Sequence, residues 1–485
     1  MSRGEESARP GPRCKWRESC GVVGIVSPDP AAARLAYFGL FTLQHRGQES
    51  AGIAAADGER MQARRGMGLV QGVFTERELG ELPGWAAVGH VRYSTTGSTL
   101  LCNAQPLMGS FRGGEFAVGH NGNLVNASKL KDDLSGNGHQ FQTTTDTELI
   151  AAMIAESDER TLEDAVAAAM PHLHGAYSLV LLAKDRVVGV RDPHGIRPLC
   201  IGRRDDGGHV LASETCALPV LQARFLREVE PGEVVTLDRG GVREFQAMPV
   251  ARKAMCIFEF IYFARPDSDM YGKSLYICRK RMGHVLAREH PASADLVVPV
   301  PESGISHAIG FAEASKIPFG EALIKNRYIF RTFIEPSQAQ RDLGVRMKFT
   351  PLAEAVEGKR VVLVDDSIVR GTTHKQLVGM VREAGAREVH LRVSSPPLRH
   401  PCYYGIDMDN QEQFIAWHMS VEEVGQRLNA DSIGYLSIDG LIEAVGLPRS
   451  NFCLACFNNR YPIPVPRKLR GAKLALETRG APVAG

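Results

Sequence analysis

Residues 361–373 read Val-Val-Leu-Val-Asp-Asp-Ser-Ile-Val-Arg-Gly-Thr-Thr, and they say more about the architecture than any other part of the chain. A β-branched apolar run of strand length passes directly into two acids, Asp365 and Asp366. A loop of small and hydroxyl residues follows, and from Thr373 the apolar residues recur at helical spacing until Gly385. This pattern predicts a buried parallel strand, a ligand site at its carboxyl end, and a helix that starts behind the loop.

The chemistry of this loop points to a sugar phosphate. Backbone N–H groups of such a loop, together with the positive end of a helix dipole, can hold a phosphate group. The two carboxylates can accept hydrogen bonds from ribose hydroxyls or hold a divalent cation. The alternative is an ordinary strand–helix turn with an acid pair at the surface.

The stretch resembles the phosphoribosyl pyrophosphate (PRPP) motif of the type I phosphoribosyltransferases. The resemblance implies that the acid pair contacts the ribose and that the loop behind it holds the 5-phosphate. The implied PRPP-binding residues here are Asp365, Asp366, Ser367, Ile368, Val369, Arg370, Gly371, Thr372 and Thr373.

A second strand–loop–helix unit precedes this motif. Residues 294–301 form an apolar run, a short polar loop follows, and a helical pattern extends to about residue 315. Two such units predict a parallel sheet with ligands at the carboxyl ends of its strands. The loop resembles the pyrophosphate-binding loop of the same family, although Glu302 stands where many relatives carry Asp. The resemblance implies PRPP contacts from Glu302, Ser303 and Gly304, and Mg²⁺ ligation by Ser303, Asp365 and Asp366.

A basic segment from Lys325 to Lys348 lies between the two units. Its basic residues include Arg327, Arg331, Arg341, Arg346 and Lys348, and Pro336, Gln338 and Gln340 are poor core material. By resemblance this segment is a mobile loop that closes over bound PRPP and excludes water. On the charges alone, a solvated basic connector is the alternative.

Length and composition describe an ordinary globular chain. It has 485 residues, enough for two or more domains, with 44% hydrophobic and 23% charged residues and a formal net charge of +2. That charge is too small to indicate nucleic acid, and no apolar run reaches the roughly 18 residues of a membrane span. The polar first nineteen residues are no secretory signal, so the ten cysteines indicate a reducing compartment. We expect a cytoplasmic protein with neither a nucleic-acid nor a membrane partner.

The first half of the chain has a different pattern. Strand-like runs begin at Cys20 and recur at 86–91, 116–118, 176–182, 187–190 and 209–212, and helical patterns fill 147–156 and 161–170. Clustered strands and helices predict stacked sheets and helices here, not an alternating strand–helix unit.

Five short segments of this half carry chemistry. They are Cys20-Gly21, residues 44–50 (Gln-His-Arg-Gly-Gln-Glu-Ser), residues 90–95 (His-Val-Arg-Tyr-Ser-Thr), residues 120–124 (His-Asn-Gly-Asn-Leu) and residues 145–148 (Thr-Asp-Thr-Glu). Together and in this order they resemble the glutaminase domain of the N-terminal-nucleophile amidotransferases, from Cys20 to about residue 245. Such a cysteine can attack the side-chain amide of glutamine and release ammonia, provided that a base takes its proton.

The resemblance assigns roles to six residues of these segments. Cys20 is the nucleophile, and its own α-amino group is the base, which requires removal of residues 1–19. Asn121 and the Gly122 N–H form the oxyanion hole. Arg92 pairs with the α-carboxylate of glutamine, Asp146 holds its α-ammonium, and Thr95 helps to position it.

Each of these residues also has a plain structural reading when it is taken alone. A single cysteine such as Cys20 is most often a small buried hydrophobe. Asn121-Gly122 is most often a turn, and Asp146 could cap a helix that begins at 147.

A C-x-x-C pair near the C-terminus adds a metal-binding pattern. Cys453 and Cys456 alone suit zinc, an iron–sulfur cluster or a redox pair, and zinc would serve the spacing as well as a cluster. The lack of a thioredoxin-like strand–helix–strand pattern around them argues against the redox pair. By resemblance, Cys256 and Cys402 stand where one branch of the family has its other two cluster ligands. The resemblance therefore implies a structural [4Fe–4S] cluster on Cys256, Cys402, Cys453 and Cys456. We assign no role to Cys14, Cys102, Cys200, Cys216 and Cys278.

Both halves occur in this order in the amidophosphoribosyltransferases, and the resemblance covers roughly residues 20–465. It implies an N-terminal αββα glutaminase domain (20–250), a type I phosphoribosyltransferase domain with a parallel sheet (251–465), a leader (1–19) and a tail (466–485). The fold class is thus α/β combined with α+β. The implied reaction converts glutamine, water and PRPP into 5-phosphoribosylamine, glutamate and pyrophosphate, with ammonia passing internally between two sites, at the entry to purine biosynthesis. Relatives are commonly homotetramers that purine nucleotides inhibit.

Two rival functions are separable by sequence features. An amidotransferase that aminates a sugar phosphate through an isomerase domain would lack the 361–373 motif. A non-enzymatic regulator that uses the PRPP fold as a ligand sensor would not need the full set of glutaminase residues, and the near-neutral charge argues against nucleic acid.

Overall fold

A computed structural model describes residues 20–82, 84–93, 98–326, 344–408, 410–466 and 476. It divides into two compact units. Among the described residues, one unit contains Ile277–Arg399 and Glu412–Gly446, and the other contains residues 20–276, His400–Gln411 and the residues from Leu447 onward. We call the latter the first unit and the former the second unit.

The described residues form 23 strands, many of which follow one another without an intervening helix. In the first half the strands are β1 (Gly21–Val26), β2 (Ser50–Ala56), β3 (Met61–Met67), β4 (Ala86–Arg92), β5 (Leu107–Phe111), β6 (Gly114–Leu124), β7 (Gly175–Ala183), β8 (Arg186–Arg191), β9 (Cys200–Arg204), β10 (His209–Ala212), β11 (Ala223–Glu228), β12 (Glu233–Asp238) and β13 (Gly241–Gln246). In the second half they are β14 (Met255–Cys256), β15 (Asp269–Met270), β16 (Lys273–Ser274), β17 (Leu296–Pro299), β18 (Leu323–Lys325), β19 (Phe349–Pro351), β20 (Arg360–Asp365), β21 (Glu388–Val393), β22 (Ser432–Tyr435) and β23 (Phe452–Cys453).

The described helices are mostly short. The α-helices are Ala32–Thr42, Val70–Val73, Glu76–Gly80, Ala127–Gly136, Asp146–Ala155, Leu162–Ala169, Ala217–Val220, Leu275–Glu289, Ile305–Ser315, Ala353–Val356, Thr372–Glu383, Ile415–His418, Val421–Leu428, Ile438–Val445 and Ala455–Asn458. Single 3₁₀ turns cover Leu101–Asn103, Met170–His172, Gln411–Gln413 and Arg449–Asn451, and Glu259–Phe263 is a π-helix.

Two antiparallel sheets form the centre of the first unit. Their strand orders are β11-β9-β10-β1-β4-β2-β3 and β13-β12-β8-β7-β6-β5. The sheets share one apolar cluster, in which Val22 and Val88 of the first sheet pack with Val180 and Val187 of the second. Helices cover the outer faces, because the outward side chains of each sheet pack with helical residues in separate clusters. The expected αββα arrangement of helix, sheet, sheet and helix is confirmed.

The alternation of side chains in β1 shows why this strand lies between two layers. Val22 and Val26 face the neighbouring sheet, whereas Val23 and Ile25 face the outer helices. Because successive side chains of a strand point to opposite faces, a fully apolar strand requires cover on both sides. Cys20 directly precedes this strand, so the buried sheet fixes its position.

A four-stranded parallel sheet with the order β17-β20-β21-β22 forms the core of the second unit. Pro299 of β17 lies opposite Val364 of β20. The carboxyl ends of both strands therefore meet at one edge of the sheet, and the helices Ile305–Ser315 and Thr372–Glu383 start behind them. Both predicted strand–loop–helix units are present.

The compact units divide the chain differently from the boundary at 250/251 that the sequence indicated. The described residues from Cys20 to Tyr276, His400–Gln411 and the described residues from Leu447 onward group with the two stacked sheets. The pairing of β14 with β23 gives the physical reason, since it joins Met255 to Phe452 and Cys256 to Cys453. A domain that is discontinuous in sequence leaves no composition change at its boundaries.

Other predicted segments have mixed outcomes. The helical patterns at 147–156 and 161–170 correspond to Asp146–Ala155 and Leu162–Ala169. The leader, residues 327–343 of the basic segment and nearly all of the tail lie outside the described residues, so the predictions on Arg327, Arg331 and Arg341 stay predictions. The described ends of the basic segment form the antiparallel pair β18 and β19. Within the described ranges, no helix is long and apolar enough to cross a membrane.

Candidate active site

Cys20 lies buried at the start of β1, with only 7% of its surface exposed. Its sulfur lies 3.3 Å from both the backbone N and the backbone O of Tyr93, just after β4. Its carbonyl oxygen accepts a hydrogen bond of 3.1 Å from Nε of Arg46. The residue after β4 thus holds the side chain of Cys20, and the turn after the helix Ala32–Thr42 holds its main chain.

Burial decides the ionisation of the Cys20 thiol. It raises the pKa to about 12, against the lowering effect of Arg92, and the carboxylates of Glu49 and Asp146 raise it further. The thiol is therefore protonated at neutral pH and needs a base before it can act as a nucleophile. Because these charged groups act on the thiol, the structure brings the predicted residues Arg92 and Asp146 to the same place as Cys20.

Arg92 and Asp146 are buried and already engaged. The Arg92 guanidinium donates to the Ser98 carbonyl at 3.1 Å and lies 3.6 Å from the Glu49 carboxylate. Asp146 is the first residue of its helix, and its carboxylate accepts the Leu124 N–H at 2.9 Å. A bound α-amino acid would therefore compete with groups of the protein for both residues. This carboxylate contact with Leu124 is not a cap of the helix that contains Asp146, and that helix begins one residue earlier than the pattern suggested.

Asn121 has the clearest unfilled hydrogen-bonding capacity of the site. It is fully buried in β6, and neither its Oδ1 nor its Nδ2 has a hydrogen-bond partner among the described residues. A buried amide without partners costs about 1–3 kcal/mol, so the two atoms suit a ligand that supplies both an acceptor and a donor. The reading of Asn121-Gly122 as a turn is wrong, because both residues lie inside β6.

Gly122 cannot carry a side chain in this position. A Cβ there would lie 1.9 Å from the Ala176 carbonyl oxygen of β7 and 2.8 Å from Nε2 of His120. His90 of β4 contacts the His120 carbonyl at 3.0 Å, and this bond joins the two sheets beside Asn121. Thr95 lies outside the described residues, so its assignment stays a prediction.

The two ligand loops of the second unit lie at one edge of the parallel sheet. Val300 donates from its backbone N to the Val364 carbonyl at 2.8 Å. A Cβ on Gly304 would lie 2.5 Å from the same carbonyl oxygen, so this glycine permits the close approach of the loop to β20. Ser303 is half-buried, and Glu302 is exposed with its carboxylate 3.5 Å from Nζ of Lys325.

The acid pair Asp365 and Asp366 is buried at the end of β20, with 1% and 0% exposed. Oδ2 of Asp365 lies 2.8 Å from Nε2 of His374, and its Oδ1 accepts the backbone N–H of Asp366 at 2.9 Å. Asp366 in turn accepts the Ser367 hydroxyl. The sequence pattern missed His374, although an imidazole at the third position of the helix behind the motif is within reach of the strand end. The reading of the pair as surface acids is wrong.

The loop between the acid pair and the helix is braced by the residues around Ile415. The Val369 carbonyl accepts the Ile415 N–H at 2.8 Å, and Arg370 donates to Gln413. Gly371 has φ of +75°, in the left-handed region that favours glycine. Ser367, Ile368 and Thr373 are buried, Val369 and Arg370 are half-buried, and Thr372 is exposed.

The four cysteines of the predicted cluster line one pocket of the first unit. Cys256 of β14 is the register partner of Cys453 of β23, and the Cys456 carbonyl accepts the His400 N–H at 3.0 Å, two residues before Cys402. The remaining lining residues are largely apolar or aromatic, with Arg197 as the single charged one: Ile196, Arg197, Ile257, Phe258, Pro401, Tyr404, Ile406, Ala455 and Tyr461.

Cys256 and Cys456 are buried, Cys402 and Cys453 are half-buried, and the acidity of all four thiols is suppressed. Burial raises the pKa of Cys256 to about 12 and also raises that of Cys402, Cys453 and Cys456, and the neighbouring thiols raise three of them further. None of the nine described cysteines is in a disulfide. No group of three or more His, Cys, Asp or Glu side chains in the described ranges converges on one point as the ligands of a single ion do. The cysteines surround a space instead.

Stacked antiparallel sheets that carry a buried cysteine, and a parallel sheet that carries an acid pair and two ligand loops, define the class of this protein. It is a glutamine amidotransferase joined to a phosphoribosyltransferase.

Comparisons with known proteins agree with this class. The family model of the glutamine amidotransferase domain matches residues 90–220. Amidophosphoribosyltransferase from Synechocystis sp. is 51% identical over 468 residues, which cover 96% of this chain and 94% of that protein. The enzyme of the same name from Archaeoglobus fulgidus is 50% identical and covers 92% of this chain and 98% of its own. The solved structure of glutamine PRPP amidotransferase from B. subtilis, complexed with ADP and GMP, is 47% identical, has a TM-score of 0.87, and covers 92% of this chain and 98% of that one.

The chain belongs to the amidophosphoribosyltransferase family. Members of this family are pentosyltransferases with glutamine amidotransferase activity, and they catalyse the first step of purine biosynthesis from glutamine and PRPP.

Proposed function

We propose that this chain hydrolyses glutamine at Cys20 and transfers the ammonia to PRPP at the carboxyl edge of its parallel sheet. The products are 5-phosphoribosylamine, glutamate and pyrophosphate. The observation that carries the proposal is the surroundings of Cys20: a buried cysteine next to Arg92 and Asp146, in a unit whose buried Asn121 amide has no partner.

The glutamine half-reaction follows from these surroundings. The raised pKa of the Cys20 thiol means that a base must take its proton when the sulfur attacks the side-chain amide carbon. Removal of residues 1–19 would create an α-amino group on Cys20 itself, with an ordinary pKa of about 7.7–8.0. Asn121 and the Gly122 N–H would then stabilise the oxyanion, and loss of ammonia would leave a thioester that water hydrolyses.

Recognition of the amino-acid end of glutamine belongs to two residues in this proposal. Arg92 would exchange its contact with Glu49 for the α-carboxylate, whose planar geometry matches a guanidinium fork. Asp146 would hold the α-ammonium, and Thr95 would add a contact from the segment between β4 and residue 98.

The phosphoribosyl half-reaction uses both loops at the edge of the parallel sheet. The loop from Ser367 to Thr373 would hold the 5-phosphate at the start of its helix, where backbone N–H groups and the helix dipole favour an anion. Asp365 and Asp366 would accept hydrogen bonds from the ribose hydroxyls. The loop of Glu302, Ser303 and Gly304 would hold the pyrophosphate while ammonia displaces it from the anomeric carbon.

Magnesium fits the donors at this edge. Ser303, Asp365 and Asp366 offer only oxygen ligands, which Mg²⁺ prefers, and the position of Gly304 against Val364 brings the two loops together. Bound Mg²⁺ would offset the charge of the departing pyrophosphate. His374 keeps Asp365 in place, so the carboxylate is oriented before any ligand arrives.

A [4Fe–4S] cluster on Cys256, Cys402, Cys453 and Cys456 is proposed from the family resemblance, since the C-x-x-C spacing alone suits zinc equally well. The four cysteines line one pocket whose other walls are largely apolar, which fits a buried structural cluster. The cluster would supply no step of the reaction there. It would join the segments around 256, 402 and 453 within the first unit.

Assembly, regulation and compartment follow the family. We expect a homotetramer that purine nucleotides inhibit, since the B. subtilis relative was solved with ADP and GMP. We expect the protein in the cytoplasm, where a reducing environment suits free cysteines.

Pyrophosphate release tests the proposal. Protein purified without oxygen is assayed with PRPP, Mg²⁺ and either glutamine or ammonium chloride, in the wild type and in Cys20→Ala. Loss of the glutamine-dependent reaction with retention of the ammonia-dependent one supports two coupled sites. If the wild type releases no pyrophosphate with either nitrogen source, the proposal is refuted in favour of a PRPP sensor.

A further inference from the structure

A buried chain of ion pairs begins at the main chain of Cys20. Arg46 donates from Nε to the Cys20 carbonyl at 3.1 Å. The same guanidinium donates to both carboxylate oxygens of Glu259, at 3.0 and 2.8 Å. Arg46 and Glu259 are 1% and 2% exposed, so water does not weaken these contacts.

The chain continues from Glu259 to the four-cysteine pocket. Glu259 also accepts from Arg197 at 3.2 Å, and Arg197 donates twice to the Tyr404 carbonyl, at 2.8 and 2.7 Å. Arg197 has no exposed surface and lines the pocket of the four cysteines. One continuous set of buried hydrogen bonds therefore connects that pocket with the proposed nucleophile.

Two residues of the same network lie within three residues of a pocket cysteine in the sequence. Glu259 is three residues after Cys256 and starts the π-helix Glu259–Phe263, a rare form that is frequent at functional sites. Tyr404 is two residues after Cys402, and its backbone N donates to the Cys402 sulfur at 3.4 Å. A displacement of either cysteine must move an acceptor of Arg197.

Charges buried in this way favour one geometry. Each guanidinium and the shared carboxylate lose their hydration, and only contacts with good geometry offset that loss. A shift at one end would leave a buried charge poorly paired, so the network resists small displacements of the Cys20 carbonyl.

We propose that Arg46, Glu259 and Arg197 are positioning residues that couple occupancy of the four-cysteine pocket to the orientation of Cys20. The inference rests on the proposed function, since it takes Cys20 as the nucleophile and the pocket as the cluster site. We call these three residues the relay.

The first readout is the reactivity of Cys20 itself. A diazoketone analogue of glutamine alkylates the nucleophile, and peptide mapping by mass spectrometry measures the rate. In Arg46→Lys, Glu259→Gln and Arg197→Lys we expect this rate to fall about 10- to 100-fold, as a displacement near 1 Å does at other reacting centres. The ammonia-dependent reaction, which the second unit carries out, is expected to stay close to the wild-type rate and shows that each variant is folded.

The second readout uses the reciprocity of coupling. If pocket occupancy affects the orientation of Cys20, we expect a change beside Cys20 to alter the geometry of the pocket in return. Arg46→Lys keeps the charge and lines no part of the pocket, so a shift in the reduction potential of the bound cluster in this variant reports a geometric link. We expect such a shift, and none in Arg204→Lys, which alters another buried guanidinium of the same unit, one bonded to Asp206 and Leu221 instead of the relay.

The outcomes separate the relay from the proposed function. Wild-type alkylation rates in all three relay variants, with iron bound, would overturn the relay alone. An unchanged cluster potential in Arg46→Lys would overturn the coupling. Glutamine-dependent turnover in Cys20→Ala, or wild-type protein without iron, would instead overturn the proposed nucleophile or the proposed cluster, and the coupling with it.

Discussion

At Cys20, burial and reactivity oppose each other. The thiol is buried so that glutamine can be enclosed, and the same burial raises its pKa to about 12. Arg92 and Arg46 lower this value only in part, since Glu49 and Asp146 act in the opposite direction. The protonated thiol therefore needs a base close to it, and a free α-amino group on Cys20 itself would be such a base.

The pH dependence of Cys20 alkylation follows from this balance. In protein that retains residues 1–19 the thiolate fraction at neutral pH is very small, because the pKa of about 12 lies far above. The thiol loses its proton only as the pH rises, so the rate with iodoacetamide should rise about tenfold per pH unit from pH 7 to 10. Peptide mapping measures the rate, and exposed Cys102 reports access of the reagent. A plateau near pH 8 in this form would contradict the role of burial.

Protein that begins at Cys20 provides the comparison. Its α-amino group can accept the thiol proton, so the rate should be higher at pH 7 and should level off above about pH 8. Equal profiles for the two forms would show that the amino group does not serve as the base.

Asn121 offers a second test at the residue scale. Its amide has no partner among the described residues, so Asn121→Ala removes a group that only a ligand uses. We expect glutamine-dependent kcat to fall about 10²- to 10³-fold, equivalent to about 2.7–4 kcal/mol, with ammonia-dependent turnover retained. Steady-state kinetics with both nitrogen sources measure the effect. Asn137→Ala, at an exposed helix end, is the matched control, and a loss of both activities in Asn121→Ala would indicate damage to the fold.

At the scale of elements, strand ends position both sites. The ends of β1, β4 and β6 carry the residues proposed to act on glutamine, where the two antiparallel sheets meet. β17 and β20 carry the proposed PRPP loops at one edge of the parallel sheet. The sequence predicted these strands because a strand buried on both faces reads as an uninterrupted apolar run. The sequence did not indicate His374 or Glu259, and it gave Arg46 no role within the segment 44–50, since a single polar residue carries no period that reveals its partner.

Glycines in the helix Thr372–Glu383 and its preceding loop give a paired test. Gly371 has φ of +75°, and a Cβ there would lie 2.7 Å from Cδ1 of Ile415. Gly371→Ala should therefore cost about 1–3 kcal/mol, distort the phosphate loop and raise the KM for PRPP about tenfold or more. Gly379, inside the same helix, has open space at its Cβ position, so Gly379→Ala should stabilise the protein by about 0.5–1 kcal/mol and leave the KM unchanged.

Thermal unfolding and initial rates at varied PRPP measure these two effects. Equal KM values for wild type and Gly371→Ala would mean that the conformation of this loop does not limit PRPP binding. A destabilised Gly379→Ala would show that the helix does not tolerate a methyl group where space is open.

At the scale of the molecule, the chain folds as two units whose sequence segments interleave. The first half was predictable because its strands are contiguous, and so was the core of the parallel sheet. The sequence did not predict that the residues around Cys402 and Cys453 belong to the first unit. Short strands such as β14 and β23 have no pattern that indicates which strand they pair with. In the sequence, the cysteines were the only signal of this grouping.

Loss of one pocket cysteine should therefore loosen the first unit and spare the second. Cys453 is the register partner of Cys256, so Cys453→Ser removes both a proposed ligand and the link between distant segments. We expect amide hydrogen exchange in residues 255–263, 400–408 and 452–458 to accelerate about tenfold or more, equivalent to about 1.4 kcal/mol of local opening free energy. Exchange in β17, β20 and β21 should match the wild type, since these strands belong to a separate core.

Hydrogen exchange with mass spectrometry resolves these segments in one experiment. Cys102→Ser, at an exposed position in the first unit, controls for the chemical change and should alter no segment. Faster exchange in β20 of Cys453→Ser would show that the pocket stabilises the parallel sheet as well. An unchanged first unit would show that its core holds residues 255–263 without the cysteines, and the cluster would then lack the structural role proposed for it.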